Sequence, residues 1–270
     1  MKPKYALMST AALVVLGWVL VNGALSGAAA PAAATSPSAS ADTSAPAAVS
    51  GVVRLDGPAP AAKPISMAKD PECMKMHPSG VNTEEAITGS DGTLGNVIVY
   101  VSEGLGDRTF DPPANPVVIE QKGCSYRPHV LTMQANQKIQ IVNSDPTSHN
   151  IHPIPINNRE WNKSQPPGQP PLEATFAREE IAIPVKCNEH PWMRAYIAVF
   201  KHPFFNVTGK DGRFELKNLP PGEYTISAWH EKFGTVEQRI TVGVKETKTV
   251  DFVFKVRRSY GVTFSAVARN

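Results

Sequence analysis

The segment CNEHPWM places Cys187, His190 and Met193 at three-residue intervals, so one tight loop can turn a thiol, an imidazole and a thioether toward a single centre. Soft thiolate and thioether donors with a borderline imidazole select copper over hard cations. Two histidines, a cysteine and a weak axial methionine are the ligand set of electron-transfer copper sites. A second imidazole is then required from elsewhere in the chain. SDPTSHNIHP supplies it, directly after the apolar run KIQIVN. His149 and His152 lie three apart, an odd separation that puts them on opposite faces of a strand, so His149 is the candidate ligand and His152 a surface or packing residue. Structural zinc uses four strong ligands, and methionine is a poor one. A Cys–His nucleophilic pair needs an orienting third group, and none is evident beside Cys187 and His190.

The chain has three cysteines, and in an oxidising compartment an odd count leaves one thiol reactive, linked to another chain or protected by a metal. A Cys73–Cys124 disulfide would leave Cys187 for metal; a Cys73–Cys187 disulfide would remove it. The stretch MAKDPECMKMH also gathers Met67, Cys73, Met74, Met76 and His77, soft donors of the kind a Cu(I) carrier needs. His129 reads as a strand-surface histidine and His230 as a residue of a separate C-terminal domain. Trp161 and Trp192 read either as an apolar collar near His190 or as core.

These side chains need a rigid frame, and the chain supplies strands. VSGVVRLDG, NVIVYVSEG, NPVVIEQKG, HVLTM, KIQIVN, AYIAVF, RFELKN, GEYTISAW, EQRITV and TKTVDFVFKV are short apolar or alternating runs separated by turns such as SDGTLG, GKDG and LPPG. No window of comparable length carries a capped helical stripe. The expected fold class is therefore all-β, built from sandwiches or barrels. Residues 157–171 form a long polar, proline-rich loop able to flank a site. Upstream, Lys2 and Lys4 precede an uncharged apolar run from Tyr5 to Leu25, which reads as a secretory signal or, uncut, as a membrane anchor. An Ala/Pro/Ser stretch too poor in large apolar residues to fold follows it. The net charge of +3 points to no particular partner. No nucleic-acid-binding module is recognisable.

Two resemblances follow from these residues. IVNSDPTSHNIHP looks like the first ligand region of plastocyanin-like cupredoxins, and IPVKCNEHPWMRAYIAVF is similar to the ligand loop and last strand of amicyanins. RPHVLTMQANQKIQIVN resembles the preceding hairpin, with Ala135-Asn136 where glycine is usual; asparagine tolerates the left-handed turn conformation. The resemblance implies His149, Cys187 and His190 as equatorial copper ligands and Met193 as the axial one. It also implies Asn150 as a residue hydrogen-bonding across to the ligand loop, and a His190 edge that reaches the surface as the electron's exit. VTGKDGRFELKNLPPGEYTISAWHEKFG resembles the carboxypeptidase regulatory-like, transthyretin-type β-sandwich, a family whose opening strand G-x-V-x-L-x-G appears here far upstream, at Gly51 to Gly57. This displacement implies a discontinuous sandwich with a Greek-key cupredoxin inserted, against the alternative of two domains in series.

The expected organisation is a signal or anchor over 1–30, a disordered linker over 31–49 and N-terminal strands over 50–95. A copper domain over 96–202, a regulatory-like sandwich over 203–256 and a tail over 257–270 complete it. The N-terminal segment leads us to expect a periplasmic protein, secreted or tethered to the outer face of the inner membrane, and the resemblance implies that it binds one copper and cycles it between Cu(I) and Cu(II). Such a protein carries single electrons between partners such as a c-type cytochrome, a dehydrogenase or a terminal oxidase, meets them through a small apolar patch around His190, and is not an enzyme. The rival expectation is a copper carrier that uses the Met67–His77 segment to supply an oxidase. A third is an adhesion module indifferent to metal.

Overall fold

The computed structural model describes residues 46–256. The expected signal or anchor, most of the linker and the C-terminal tail lie outside the described residues. The first part of the chain runs β1 (Ala47–Asp56), α1 (Pro71–Met76), β2 (Ile98–Glu103), β3 (Val117–Gln121), β4 (Tyr126–Arg127) and β5 (Val130–Gln134). β6 (Lys138–Asn143), β7 (His149–Pro153), β8 (Lys163–Gln165), β9 (Leu172–Thr175), β10 (Glu180–Lys186) and β11 (Arg194–Phe200) follow. The chain then forms β12 (Phe205–Val207), β13 (Arg213–Leu219), β14 (Gly222–His230), β15 (Gly234–Val242), β16 (Thr247–Thr249) and β17 (Phe252–Lys255). Among the described residues the fold is all-β apart from one short helix.

Four sheets result. β1 is the strand farthest from its partners in sequence. It pairs antiparallel with β13 and parallel with both β16 and β17. Ala47, Ala48 and Val49 belong to this strand, so ordered structure begins before the linker's expected end at residue 49. Gly51 sits where β1 passes from β16 to β17, and a Cβ there would collide with the Val250 carbonyl. The glycine that opens the G-x-V-x-L-x-G pattern is thus a close-approach residue. The facing sheet has the order β12-β2-β14-β15. Between the two sheets lies a core containing Val53, Leu55, Val99, Val101, Phe214, Ile226 and Phe252.

The membership of β2 corrects the sequence expectation. NVIVYVSEG was expected to open the copper domain at residue 96, yet β2 pairs with β14 and β12. The reason is its two-sided burial. Val99 and Val101 face the core of this sandwich, whereas Ile98 and Tyr100 point the other way, into a seam with Val130, Ala198 and Phe200. A strand apolar on both faces carries no alternation to say which sheet owns it.

The second sandwich joins the sheet β5-β11-β10-β7-β8 to the sheet β4-β3-β6-β9. Its core contains Ile119, Met133, Ile139, Ile141, Ile151, Phe176, Val185 and Ile197. β11 repeats the two-sided logic, with Ile197 and Val199 turned inward and Ala198 and Phe200 in the seam. In the turn that carries the chain from β5 in one sheet to β6 in the other, Asn136 has φ +66°, the left-handed conformation that asparagine accepts at low cost. The long loop after β7 includes strand β8, which pairs with β7. The buried Glu180 carboxylate anchors the loop's start by accepting hydrogen bonds from the backbone N–H groups of Ile156, Asn157 and Asn158 at 2.5–3.1 Å. Burial opposes ionisation of Glu180, and these donors outweigh it, holding its pKa below the ordinary glutamate value.

Residues between β1 and β2 fold over the end of the second sandwich. Asp70 caps α1, its carboxylate accepting from the Glu72 and Cys73 N–H groups, with Pro71 in the first turn. A buried disulfide joins Cys73 to Cys124, and His77 Nε2 lies 2.7 Å from the Gly123 carbonyl oxygen. Met67 is buried and Met74 exposed.

Two outcomes follow. Glu180→Ala, which strands three backbone donors, is expected to cost about 1–3 kcal/mol, read as a lowered Tm. The loss should be smaller in acid, because a carboxylate with a depressed pKa contributes its stability above its unfolded pKa and loses it as pH falls. Replacing Cys73 and Cys124 together by alanine is expected to cost about 2–5 kcal/mol and to speed amide exchange in α1 selectively.

Candidate metal centre

β10 pairs antiparallel with β7, Lys186 opposite His152, so the residues that follow β10 run back alongside β7 toward its start, and two of the candidate donors sit there. β7 begins at His149 and β10 ends at Lys186, one residue before Cys187. The turn from Cys187 to Met193 is closed by backbone hydrogen bonds from Cys187 N–H to the Met193 carbonyl and from Met193 N–H to the His190 carbonyl, at 3.2 and 2.9 Å. Two backbone bonds in seven residues hold the loop in one conformation.

His149 Nδ1 and His190 Nδ1 lie 2.9 Å apart, and Cys187 Sγ is 3.7 Å from His190 Nδ1. The three donor atoms lie within 4.8 Å of one another, and all three residues are buried. A first-row ion bonded to nitrogen at about 2.0 Å and to sulfur at about 2.3 Å leaves such donors roughly 3–4 Å apart. The donor set fits one soft or borderline ion. Met193 is 1% exposed and belongs to the same core as Cys187.

Each imidazole turns its other nitrogen onto a carboxylate. His149 Nε2 is 2.8 Å from Asp145 Oδ2, and His190 Nε2 is 2.9 Å from Asp70 Oδ2. Asp145 in turn accepts from the N–H groups of Gly123 and Cys124, both at 2.7 Å. Asp70 accepts from Thr147 Oγ1 besides capping α1. Carboxylates in this position fix the tautomer and orientation of a metal-binding histidine. Burial works against a charged His149, but the Asp145 carboxylate outweighs it and raises the pKa to about 9. Burial likewise opposes ionisation of Asp70, yet the Cys73 N–H, His190 and Thr147 bring its pKa down to about 2.

Asn150 ties the two ligand segments together. Its Oδ1 accepts from the Asn188 N–H at 2.6 Å and from the Cys187 thiol at 3.2 Å, while its Nδ2 donates to Asn162 at 2.5 Å. The His190 N–H also points at Cys187 Sγ, 3.4 Å away. Beneath this shell, Asn143 donates to the Thr147 and Gln165 carbonyls, holding the turn that leads into His149.

Several expectations are settled by position. His152 stands apart, with Nδ1 3.2 Å from Asn188 Oδ1 and Nε2 2.6 Å from Glu160. Trp192 lies tilted against His190, ring centroids 5.0 Å apart, whereas Trp161 packs on Phe176. His129 is no surface histidine: its Nε2 is 2.5 Å from Glu231, across from β14, and each side chain is only 11% exposed. His230 is buried against Phe233 and Phe254. The soft-donor segment does not converge on one ion, because Cys73 is in a disulfide and Met74 faces solvent.

The expected surface edge of His190 is corrected. His190 is 4% exposed, and its outer nitrogen is covered by Asp70 from the segment carrying α1. That cover arises from a chain segment 120 residues upstream, which no local pattern around His190 could reveal. Sequence reasoning also passed over Asp145 and Asp70. Asp145 stood in SDPTSH four residues before His149, and Asp70 carried a helix-capping signal in its Asp-Pro-Glu context.

Comparison with known proteins adds three findings. Residues 191–255 match the model of the carboxypeptidase regulatory-like domain, a span that includes β11 of the second sandwich. Curated protein sequences give no match. Among solved structures, the copper-containing nitrite reductase of Thermus scotoductus SA-01 is 21% identical over 37% of this chain, with a TM-score of 0.30; the chain spans a quarter of that protein's length. A purple cupredoxin from Nitrosopumilus maritimus is 22% identical, covering 31% of this chain and 98% of its own, with a TM-score of 0.27. A Cu(I) form of an amicyanin mutant is 16% identical, covering 37% of this chain and 97% of its own, with a TM-score of 0.28.

Proposed function

We propose that this chain is an extracytoplasmic cupredoxin-type protein that holds one type 1 copper and carries single electrons between redox partners, without a reaction of its own. The observation that carries the reading is the convergence of two imidazole Nδ1 atoms and one free thiol in a buried place, with Met193 in the same core. That is the donor set of a blue-copper centre. Copper bound there supplies a one-electron couple. His149, Cys187 and His190 would hold it, with Met193 a further donor available from the same core.

The surrounding residues restrict movement. Asn150 locks Cys187 and Asn188 to β7, Asp145 orients His149, and Asp70 orients His190. A donor set held on both sides keeps its positions when charge at the centre changes. A small reorganisation favours fast electron exchange. The disulfide fits an oxidising compartment, in accord with the leader-like N-terminal segment. Partners of the c-type cytochrome, dehydrogenase or terminal oxidase class suit a one-electron carrier, and the cover over His190 directs them to another face. The carrier reading loses its main support, since Cys73 is withdrawn from the soft-donor segment.

One equivalent of Cu(II) added to the purified protein is expected to give an intense thiolate-to-copper band that ascorbate bleaches. Cys187→Ser should remove the band and leave the β circular dichroism unchanged. A pale spectrum of nitrogen and oxygen ligation in the wild type would sink the reading. Asp70→Asn keeps a good helix cap but removes the carboxylate from His190 Nε2. Cu(II) affinity is expected to fall about tenfold, and voltammetry should show a potential raised by about 60 mV if Cu(I) affinity is unchanged.

A further inference from the structure

A cavity of about 500 Å³ opens between the two sandwiches and the segment that precedes β2. Its size is that of a small-molecule site. One wall is aromatic, made by Tyr126, Trp192 and Tyr196. Two of these rings have their polar ends engaged inside the protein. The Tyr126 hydroxyl donates to the Asn150 carbonyl and the Trp192 Nε1–H to the Cys124 carbonyl. Tyr126 is itself buried, so the carbon surface offered to the cavity is that of Trp192 and Tyr196, which suits a flat ring.

The charged lining is closed on itself, with one exception. Arg127 pairs with Glu84 at 2.6 Å, Lys232 with Glu85 at 2.6 Å, and His129 with Glu231 at 2.5 Å. Each pair joins two different walls, so together they fix the cavity's shape. Burial opposes a charge on His129, and Glu231 outweighs it, raising its pKa. Arg194 is the remaining cation in the lining, and among the described residues no carboxylate lies within 4 Å of its guanidinium. A guanidinium presents a planar fork that matches a carboxylate and stacks on aromatic faces.

We propose that this cavity binds a planar aromatic carboxylate, its ring against Trp192 and Tyr196 and its acid group on Arg194. The site stands independently of copper. A bound ring lies beside Trp192 and Met193, two residues of the candidate ligand loop.

The test is a calorimetric titration of the full, metal-free chain with 4-hydroxybenzoate, with phenol and acetate as part-ligands that lack the acid or the ring. The expected result is saturable binding at one site per chain, with both part-ligands at least about tenfold weaker. Arg194→Gln should weaken 4-hydroxybenzoate about tenfold, and Arg194→Lys should restore most of that loss. Ligand-induced quenching of tryptophan fluorescence should vanish in Trp192→Phe while the calorimetric signal remains. Absence of saturable binding, equal binding of phenol, or an unchanged Arg194→Gln would overturn the proposal. A loss in Arg194→Gln that Arg194→Lys does not restore would equally overturn the role given to the guanidinium. Because no metal is added, none of these outcomes bears on the copper reading.

Discussion

Two imidazoles and a free thiol buried within 4.8 Å of one another are the constraint around which the second sandwich is arranged. Buried polar atoms are costly unless each has a partner. The inward atoms of this cluster converge on a point suited to an ion, and the outward atoms are taken by Asp145, Asp70 and Asn150. Those three partners are themselves secured: Asp145 by two N–H groups near Cys124, Asp70 by the N-terminus of α1, Asn150 by Asn162. The disulfide then ties the two carboxylate-bearing regions together, because Cys73 lies in the helix that Asp70 caps and the Cys124 N–H donates to Asp145. One covalent bond therefore sits behind both histidines.

The regulatory-like part contributes through the seam. β2 and β11 are apolar on both faces, so one face of each completes its own sandwich and the other glues the two sandwiches together. Ile98, Val130, Ala198 and Phe200 are all at most 3% exposed there. β11 follows directly on the Cys187–Met193 loop, and burying it on both sides anchors the loop's exit as firmly as β10 anchors its entry. The match of a family model to residues 191–255 is consistent with this continuity, since the matched span crosses from β11 into the strands of the other sandwich.

Much of this was legible in the sequence, and what was not has identifiable causes. The strands, the turns, the left-handed Asn136 and the convergence of residues 149, 187 and 190 followed from local spacing and local resemblance. The ownership of β2 did not, because a strand buried on both faces looks the same whichever sheet claims it. The cover over His190 did not either, because it depends on a contact between residues 70 and 190, and sequence-distant contacts leave no periodic trace. His129 was misread for the same reason: its partner, Glu231, lies 102 residues away.

Asp70 shows how the distant segment and the site act on each other. Its carboxylate receives two helix N–H groups, the Thr147 hydroxyl and the His190 imidazole. These contacts require α1 to be folded, the turn before β7 to be formed and the 187–193 loop to be closed at the same time. Each therefore orders the others through a shared acceptor, and losing any one weakens the grip on the rest. The helix is only six residues long, too short to hold itself in water. Its stability is borrowed from the disulfide and from His190. Ordering of the His149–Cys187–His190 cluster and ordering of its cover are thus one event, and His190 is built into the protein's interior.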